Sequence, residues 1–531
     1  MKRHSKKLLG ALLVLVLLLS TLAGCSPDTP ESSSATPSTT EPAGDGGEDG
    51  GGASSDLDPI ELKIFAIADA PRNQEMAAEY FPILNEELTK ALNVTVKFDY
   101  AAGNDYQNNY QMIMASGDKY DIIQSARWLN YATNAKKNAF MDLTELLPEY
   151  APDVYAMVGE DRWNEVKVDG AIYGVPSLRS EPVEPSFMYR EDLRKKYGTP
   201  EIDSFEAIEA YLQAIKDNEP ELLPSDDYQA QVYGASFIPA SKYIIVDEGA
   251  DRHSNFVIDP ANPREVLNTL ELPEFKEFMY MMQDWADRGF WPKSVLSSTD
   301  WGVFAVQNGK AAASFNGQFP NYAYLATQLA EENEGWEIMY APYCLFNENT
   351  AVLRPKATGG MFSVTRTANN PERALMLANY VHTHEDLWRL MIYGIEDVHY
   401  KDVNGTRDIS FIDQTTEGFN YFPGSLFDNA DFYMPLADQW YKQDEIMEKI
   451  TARQQTDILS GYVLEVEPVE AQYTAVNQVR IEYGFPLQAG LVDDVDAAWQ
   501  TFYDRSMDAG LEECRQEIER QINEYLDSIG Y

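Results

Sequence analysis

Cysteine, histidine and positive charge are all scarce in this chain. Three Cys in 531 residues cannot build a disulfide scaffold, and none has the CxxC or Cys/His spacing of a structural zinc site. Five scattered His leave few candidates for a general base or a metal ligand. Against 41 Lys and Arg stand 86 Asp and Glu, a formal net charge of −45, so nucleic acid and acidic lipid surfaces would meet a repulsive field. No GxSxG, HExxH or Walker A string occurs, and the glycines between 44 and 52 follow no strand and do not complete a GxGxxG. What the chain does have is 44% apolar and 12% aromatic residues, enough to bury substantial cores in more than one domain.

Residues 1–24 read as a leader: Lys2, Arg3, Lys6 and Lys7, then the apolar run Leu8 to Leu19, then small residues. The junction Leu22-Ala23-Gly24-Cys25 looks like a bacterial lipobox, in which Cys25 is lipid-modified and becomes the new N-terminus. The expectation is an extracytoplasmic protein held by lipid at the outer face of the cell membrane, with no other membrane contact. Residues 25–58 are rich in Ser, Thr, Pro, Gly and acidic side chains and cannot form a core. They are expected to act as a tether with a reach on the order of 30 Å.

From Ile60 the texture changes. ELKIFAIA (61–68) reads as a strand, and Met76, Tyr80, Leu84, Leu88 and Leu92 recur every four residues along a helix that Pro82 should kink. VTVKFDY (94–100), a helix near 105–116 and KYDIIQSARW (119–128) follow, and strand, helix, strand, helix, strand predicts a parallel α/β sheet. Ligands of such sheets lie beyond the carboxyl ends of the strands. The loops Ala68–Asn73, Tyr100–Asp105 and Ser125–Tyr131 are therefore marked, the last most strongly because Arg127, Trp128, Asn130 and Tyr131 combine aromatic faces with hydrogen-bonding groups. Later helices are expected at 203–217, with a capping box of Asp203 and Glu206, at 273–288, at 371–391 and at the C-terminus, where Cys514, Ile518, Ile522 and Leu526 share a face. Pairing of Cys514 with Cys344 is left open.

The strings MIMASGDKYDIIQSARW (112–128), AFMDLTELLPEYAP (139–152), IYGVPSLRSEPVEPSFMYREDLRKKYG (172–198), FEAIEAYLQAIKDNEP (205–220) and YGIEDVHY (393–400) together resemble family 1 extracellular solute-binding proteins of bacterial ABC importers. The resemblance is to the maltose-binding-protein-like group, and in particular to its large Gram-positive lipoprotein branch. It implies a type II, two-lobed periplasmic-binding-protein-like α/β fold, each lobe a mainly parallel sheet flanked by helices, joined by a hinge that closes on a small ligand. Mapped here, the first lobe comprises 59–178 and 357–400, and the second 185–350 and 405–531. The resemblance further implies a carbohydrate ligand and an ABC permease as partner; a monomer without a cofactor is expected, and the acidic charge argues against nucleic acid. Some relatives carry a calcium loop where this chain reads ELLPSDDYQ (221–229), which lacks the glycines and spaced oxygen ligands, so no metal is expected.

A sugar presents a C–H face and a rim of hydroxyls, so its pocket needs aromatic planes and fixed polar groups. Trp128 is the stacking candidate, with core or interlobe packing as its other role, and Arg127 and Tyr131 accompany it. By the resemblance, Arg179 and Glu181 lie in the crossing between lobes, and Asn316, Gln318 and Phe319 would line the second lobe, unless they are turn and core residues. Glu396 and His399 fall at a predicted crossing, where they could touch ligand or satisfy hinge backbone groups. YGIEDVHY departs from the commoner family form in having Asp397 where Gly is frequent. Two other function classes are weighed: a receptor for a peptide or other small metabolite, and a secreted glycoside hydrolase, for which nothing selects a carboxylate pair among the 86 acids.

Overall fold

A computed structural model describes residues 57–67, 74–101, 109–114, 119–178, 182–227, 231–246, 255–298, 302–403, 408–411, 426–437 and 439–531, all within one compact unit. Two sheets organise the described residues. Their strands, in chain order, are β1 (Ile60–Ile67), β2 (Val94–Ala101), β3 (Ile122–Ser125), β4 (Val175–Pro176), β5 (Ser186–Arg190), β6 (Leu223–Ser225), β7 (Ala311–Ser314), β8 (Ile338–Pro342) and β9 (Met361–Val364). The first sheet has the order β2-β1-β3-β9-β4 and the second β8-β5-β7-β6. β1 pairs in parallel with β2, from Ile60 opposite Val94 to Ile67 opposite Ala101, and with β3. In each sheet one strand opposes the others: β9 in the first and β5 in the second. Each is the first strand of its sheet after the chain crosses between lobes.

Local sequence explains most elements. The helix Gln74–Leu92 buries Tyr80, Leu84, Leu88 and Leu92, the face read from the four-residue spacing, and runs on across Pro82. The helix Phe205–Asn218 is capped by Ser204, whose Oγ accepts from the Ala207 N–H at 3.3 Å, in place of the expected Asp203–Glu206 box. Pro273–Asp287 ends at Gly289, whose φ of +75° suits a left-handed stop. The stretch expected as one helix over 371–391 is two, Pro371–Thr383 and Glu385–Ile392, broken at the extended residue His384. In the last helix, Leu511–Ser528, Cys514, Ile518, Ile522 and Leu526 are buried. Cys344 and Cys514 are both buried, in separate hydrophobic clusters, and are not paired with each other.

The cores define the lobes. One cluster joins residues of 62–175 to residues of 357–434; a second joins 187–343 to 459–526, and a third packs Trp440, Ile446 and Ile450 onto the second lobe. The first lobe therefore extends beyond residue 400: Ile409, Leu426, Phe427 and Met434, expected in the second lobe, lie in the first cluster. The reason is aromatic packing, with Phe427 against Phe362 of β9 at 5.0 Å between ring centroids and the Trp388 indole N–H donating to the Phe427 carbonyl at 2.9 Å. Among the described residues the chain passes between lobes near 178–186, 353–357 and 434–440.

Candidate ligand-binding site

In the first lobe β3 ends in a one-turn 3-10 helix, Arg127–Leu129, followed by Asn130 at φ 57° and a short helix, Tyr131–Lys136. Leu129 turns into the core, leaving Arg127 and Trp128 half-buried. The Trp128 indole N–H donates to the Gly359 carbonyl at 3.0 Å, which fixes the ring beside the crossing that leads into β9. Tyr131, expected as a ligand contact, is core. It is 2% exposed, its hydroxyl donates to the Val166 carbonyl at 2.8 Å and accepts from the Tyr173 N–H at 3.1 Å, and burial raises its pKa well above the ordinary tyrosine value. Tyr131→Phe should cost about 2 kcal/mol, because two buried backbone groups lose their partner. Urea melts check this, and a variant of unchanged stability with lost ligand affinity would return Tyr131 to the binding surface.

The second-lobe wall is built on a buried carboxylate that sequence reading missed. Asp227, fully buried just past β6, accepts from Ser225 Oγ at 2.9 Å, from Ser314 Oγ at 2.6 Å and from the Phe315 N–H at 2.8 Å. Ser314 Oγ in turn accepts from the Asn316 N–H at 3.1 Å, so the carboxylate orients the backbone of the loop after β7. Burial pushes its pKa up to about 6, against the pull of those three donors. Asn316 and Gln318 are half-buried on this loop, with Gln318 Nε2 donating to Asn316 Oδ1 at 3.2 Å. Phe319 is not at the surface. It is 0% exposed and packs against Tyr340 and Trp440, while its backbone pairs with Glu184 in the first crossing. Aromatic side chains with exposed surface follow close by in Tyr324, 47% exposed, and in Phe304, 41% exposed and edge-on to the half-buried Tyr322 at 6.4 Å. The signal available in the sequence was the aromatic spacing immediately after Asn316-Gly317-Gln318-Phe319-Pro320.

The crossing that carries Gly359 is held from both sides. Glu165 of the first lobe, 3% exposed, accepts from Arg354 and from the Ala357 N–H at 2.7 Å, and Arg162 reaches the Pro355 carbonyl at 3.4 Å. Lys356 pairs with Asp457 at 3.1 Å and reaches the Leu459 carbonyl at 3.4 Å. Burial lowers the Lys356 pKa, Asp457 opposes that, and nearby Arg127 adds to the lowering. Lys136 and Glu465 form a further ion pair between the lobes.

Other expected residues stand apart. Glu396 is exposed on a turn, where its backbone bridges Tyr400, and Asp397 adopts φ 64°, a left-handed conformation that glycine takes at no cost. His399 is buried and its Nδ1 accepts from the Ile395 N–H at 2.9 Å, so it satisfies backbone. Arg179 and Glu181 lie outside the described residues, as do the loops 68–73 and 102–108. A concavity of about 610 Å³ elsewhere on the second lobe is lined by Arg264, Glu512, Arg515 and Glu519. Arg515 is committed there to Glu512 and Glu519, and no aromatic plane is present, so it lacks the features of a sugar pocket.

Two α/β lobes, three crossings among the described residues, and half-buried groups after strand ends in both lobes, an indole in the first and amides in the second, define a two-lobed binding protein of type II fold. The chain belongs to the bacterial extracellular solute-binding protein family, whose profile matches residues 84–391, and residues 458–527 match a domain of unknown function, DUF3502. It is similar to a carbohydrate ABC transporter substrate-binding protein of Streptococcus pneumoniae serotype 4, 24% identical over 475 residues, covering 88% of this chain and 91% of that one. Among solved structures, the N-glycan transport solute binding protein NgtS of Streptococcus pneumoniae matches with a TM-score of 0.71 at 22% identity, over 88% of this chain and 99% of its own. A solute binding protein of Bifidobacterium longum infantis described as HMO-binding and ABC-transporter-associated matches with a TM-score of 0.58 at 14% identity, over 88% and 99%.

Proposed function

We propose that this protein is a lipid-anchored receptor that captures an oligosaccharide outside the cell and delivers it unchanged to the membrane permease of an ABC transporter. The observation that carries the ligand class is Trp128, a half-exposed indole at the end of β3 whose ring is fixed by its bond to Gly359. A fixed aromatic plane suits the C–H face of a sugar, and Arg127, Asn316 and Gln318 supply donors and acceptors for hydroxyls. Tyr322 and Tyr324 are second-lobe planes, and Arg179 and Glu181 are further proposed ligand contacts. Relatives support this class: NgtS structures contain Man1GlcNAc and Man5GlcNAc. Cys25 carries the lipid, and 25–58 is the tether. Closure requires ligand contacts made in both lobes, since only differential affinity for the closed form shifts the equilibrium.

The test is thermal melting of the protein against mannose–N-acetylglucosamine, milk-type and uronate oligosaccharides, with peptides and product analysis alongside. A ligand at 100 times its Kd should add about 2.7 kcal/mol. A shift from one sugar, recovered intact, supports the receptor; cleavage, or a response to peptides alone, overturns it. Trp128→Ala should weaken the responding sugar about tenfold with a small change in melting temperature.

A further inference from the structure

The C-terminal region matched by the domain of unknown function lies on the second lobe, where its helices pack on the strand Asn262–Asn268 and the helix Pro273–Asp287. The segment leading into it, however, reaches the crossing between lobes. Gln454 and Gln455 pair in parallel with Val352 and Leu353, and the Arg354 N–H donates to the Gln455 carbonyl at 3.0 Å. Two residues on, Asp457, 1% exposed at its side chain, faces Lys356, 12% exposed. Its other oxygen accepts from the Leu459 N–H at 2.8 Å, so the carboxylate is itself held in place. Across the same stretch of chain Glu165 holds Arg354 and Ala357 from the first lobe. Residues 354–357 are thus clamped between one buried carboxylate from each lobe, and Gly359, two residues further, is the group that anchors Trp128.

We propose that Asp457 is a positioning residue for the ligand-binding site: through Lys356 it fixes the crossing segment whose Gly359 carbonyl orients the Trp128 indole, which gives the segment leading into the C-terminal region a role in recognition. An exposed ion pair would be a weak constraint, but removing one partner of a buried pair leaves the other charge without compensation and displaces the backbone that carries it. Lys356 has few ways to regain water without moving the segment. Glu165 then holds the first-lobe side alone, and the Gly359 carbonyl and the indole shift together. The ligand consequence rests on the carbohydrate reading above, whereas the movement of the indole does not.

The experiment incorporates 5-fluorotryptophan into the protein and identifies the Trp128 fluorine resonance by its loss in Trp128→Phe. In Asp457→Asn that resonance should move or broaden while resonances of Trp285 and Trp291, assigned in the same way, stay. Affinity for the mannose–N-acetylglucosamine disaccharide, or for whichever sugar the melting panel selects, should fall about tenfold. The double variant Lys356→Met with Asp457→Leu, which removes both charges, should melt closer to the wild type and retain more affinity than the single variant. An unmoved Trp128 resonance in a folded Asp457→Asn protein overturns the proposal, whatever its melting temperature. If Asp457→Asn does not fold, the same comparison in the charge-free double variant decides, with an indole signal identical to wild type and full affinity counting against Asp457. A moved resonance with no sugar bound by the wild type leaves the clamp standing and removes the carbohydrate reading.

Discussion

Gly490→Ala is expected to destabilise the protein by about 3 kcal/mol, the sum of a left-handed backbone penalty and an overlap that the core cannot relax. Gly490 has φ +64°, and a Cβ built there would lie 2.1 Å from the Met282 carbonyl oxygen and 2.6 Å from the Gln283 nitrogen. Those atoms belong to the buried helix Pro273–Asp287 and cannot swing aside as a side chain tip would. The same junction carries the Trp291 indole N–H to the Ala489 carbonyl at 2.9 Å and Gln283 Nε2 to the Val492 carbonyl at 2.8 Å, so the clash also loosens the seam between the C-terminal region and the second lobe. Gly198→Ala is the control. Its φ is +68° but nothing lies within 4 Å of the added Cβ, so only the left-handed backbone penalty of about 1 kcal/mol should remain. Urea midpoints of the two variants compare these costs directly, and equal shifts would refute the packing argument.

Asp227→Ala should cost about 4 kcal/mol, because two hydroxyls and the Phe315 N–H lose their acceptor in a dry site and a void remains. Gly302, at the start of the helix Gly302–Gln307, shows how tight the site is: a Cβ there would fall 1.8 Å from Asp227 Oδ1. The loop bearing Asn316 and Gln318 depends on these bonds, so ligand affinity should fall with stability. The pH dependence has a definite sign. With the folded pKa raised to about 6 from an ordinary 3.8, the native state binds more protons than the unfolded chain between those values. Its contribution is therefore fully present below about pH 4 and is lost as pH rises through about 6, by about 3 kcal/mol. Among the described residues no cation contributes to this shift; the carboxylate's surroundings are Ser225, Ser314, the Phe315 N–H, the Tyr233 hydroxyl and the Asp226 side chain, which is itself paired with Lys310. Asp227→Asn does not titrate, so its deficit relative to wild type should be larger at pH 4.5 than at pH 7.5. Parallel stability curves for the two proteins would show that Asp227 is ionised across the whole range.

Periodicity made the first lobe readable. Residues four apart from Met76 to Leu92 define a helix face by local geometry, and all but Met76 are fully buried against the sheet. Around the proposed binding site the same reading divided. Trp128 stands at the strand end marked for it and Asn316 at the second-lobe loop that the family resemblance implied, but Tyr131 and Phe319, only three residues from each, turn into cores. A residue's type and its distance from a strand end do not say which way a loop rotates it; the hydrogen bonds of Tyr131 to Val166 and Tyr173, and the packing of Phe319 on Trp440, do. Likewise Ile409 and Phe427 were expected in the second lobe because a crossing was placed near residue 400, and their aromatic and aliphatic contacts retain them in the first.

The strand-helix-strand order that opens the first lobe, the acidic composition, the leader-like N-terminus and the loop that offers Trp128 follow from the sequence by itself, since composition, spacing and strand ends are local properties of the chain. Tertiary structure alone decided that Asp227 meets Ser314 and that Lys356 meets Asp457 and lies close to Glu165 and Arg127. Their interactions depend on separation in space and on the exclusion of water, and chain neighbours reveal neither.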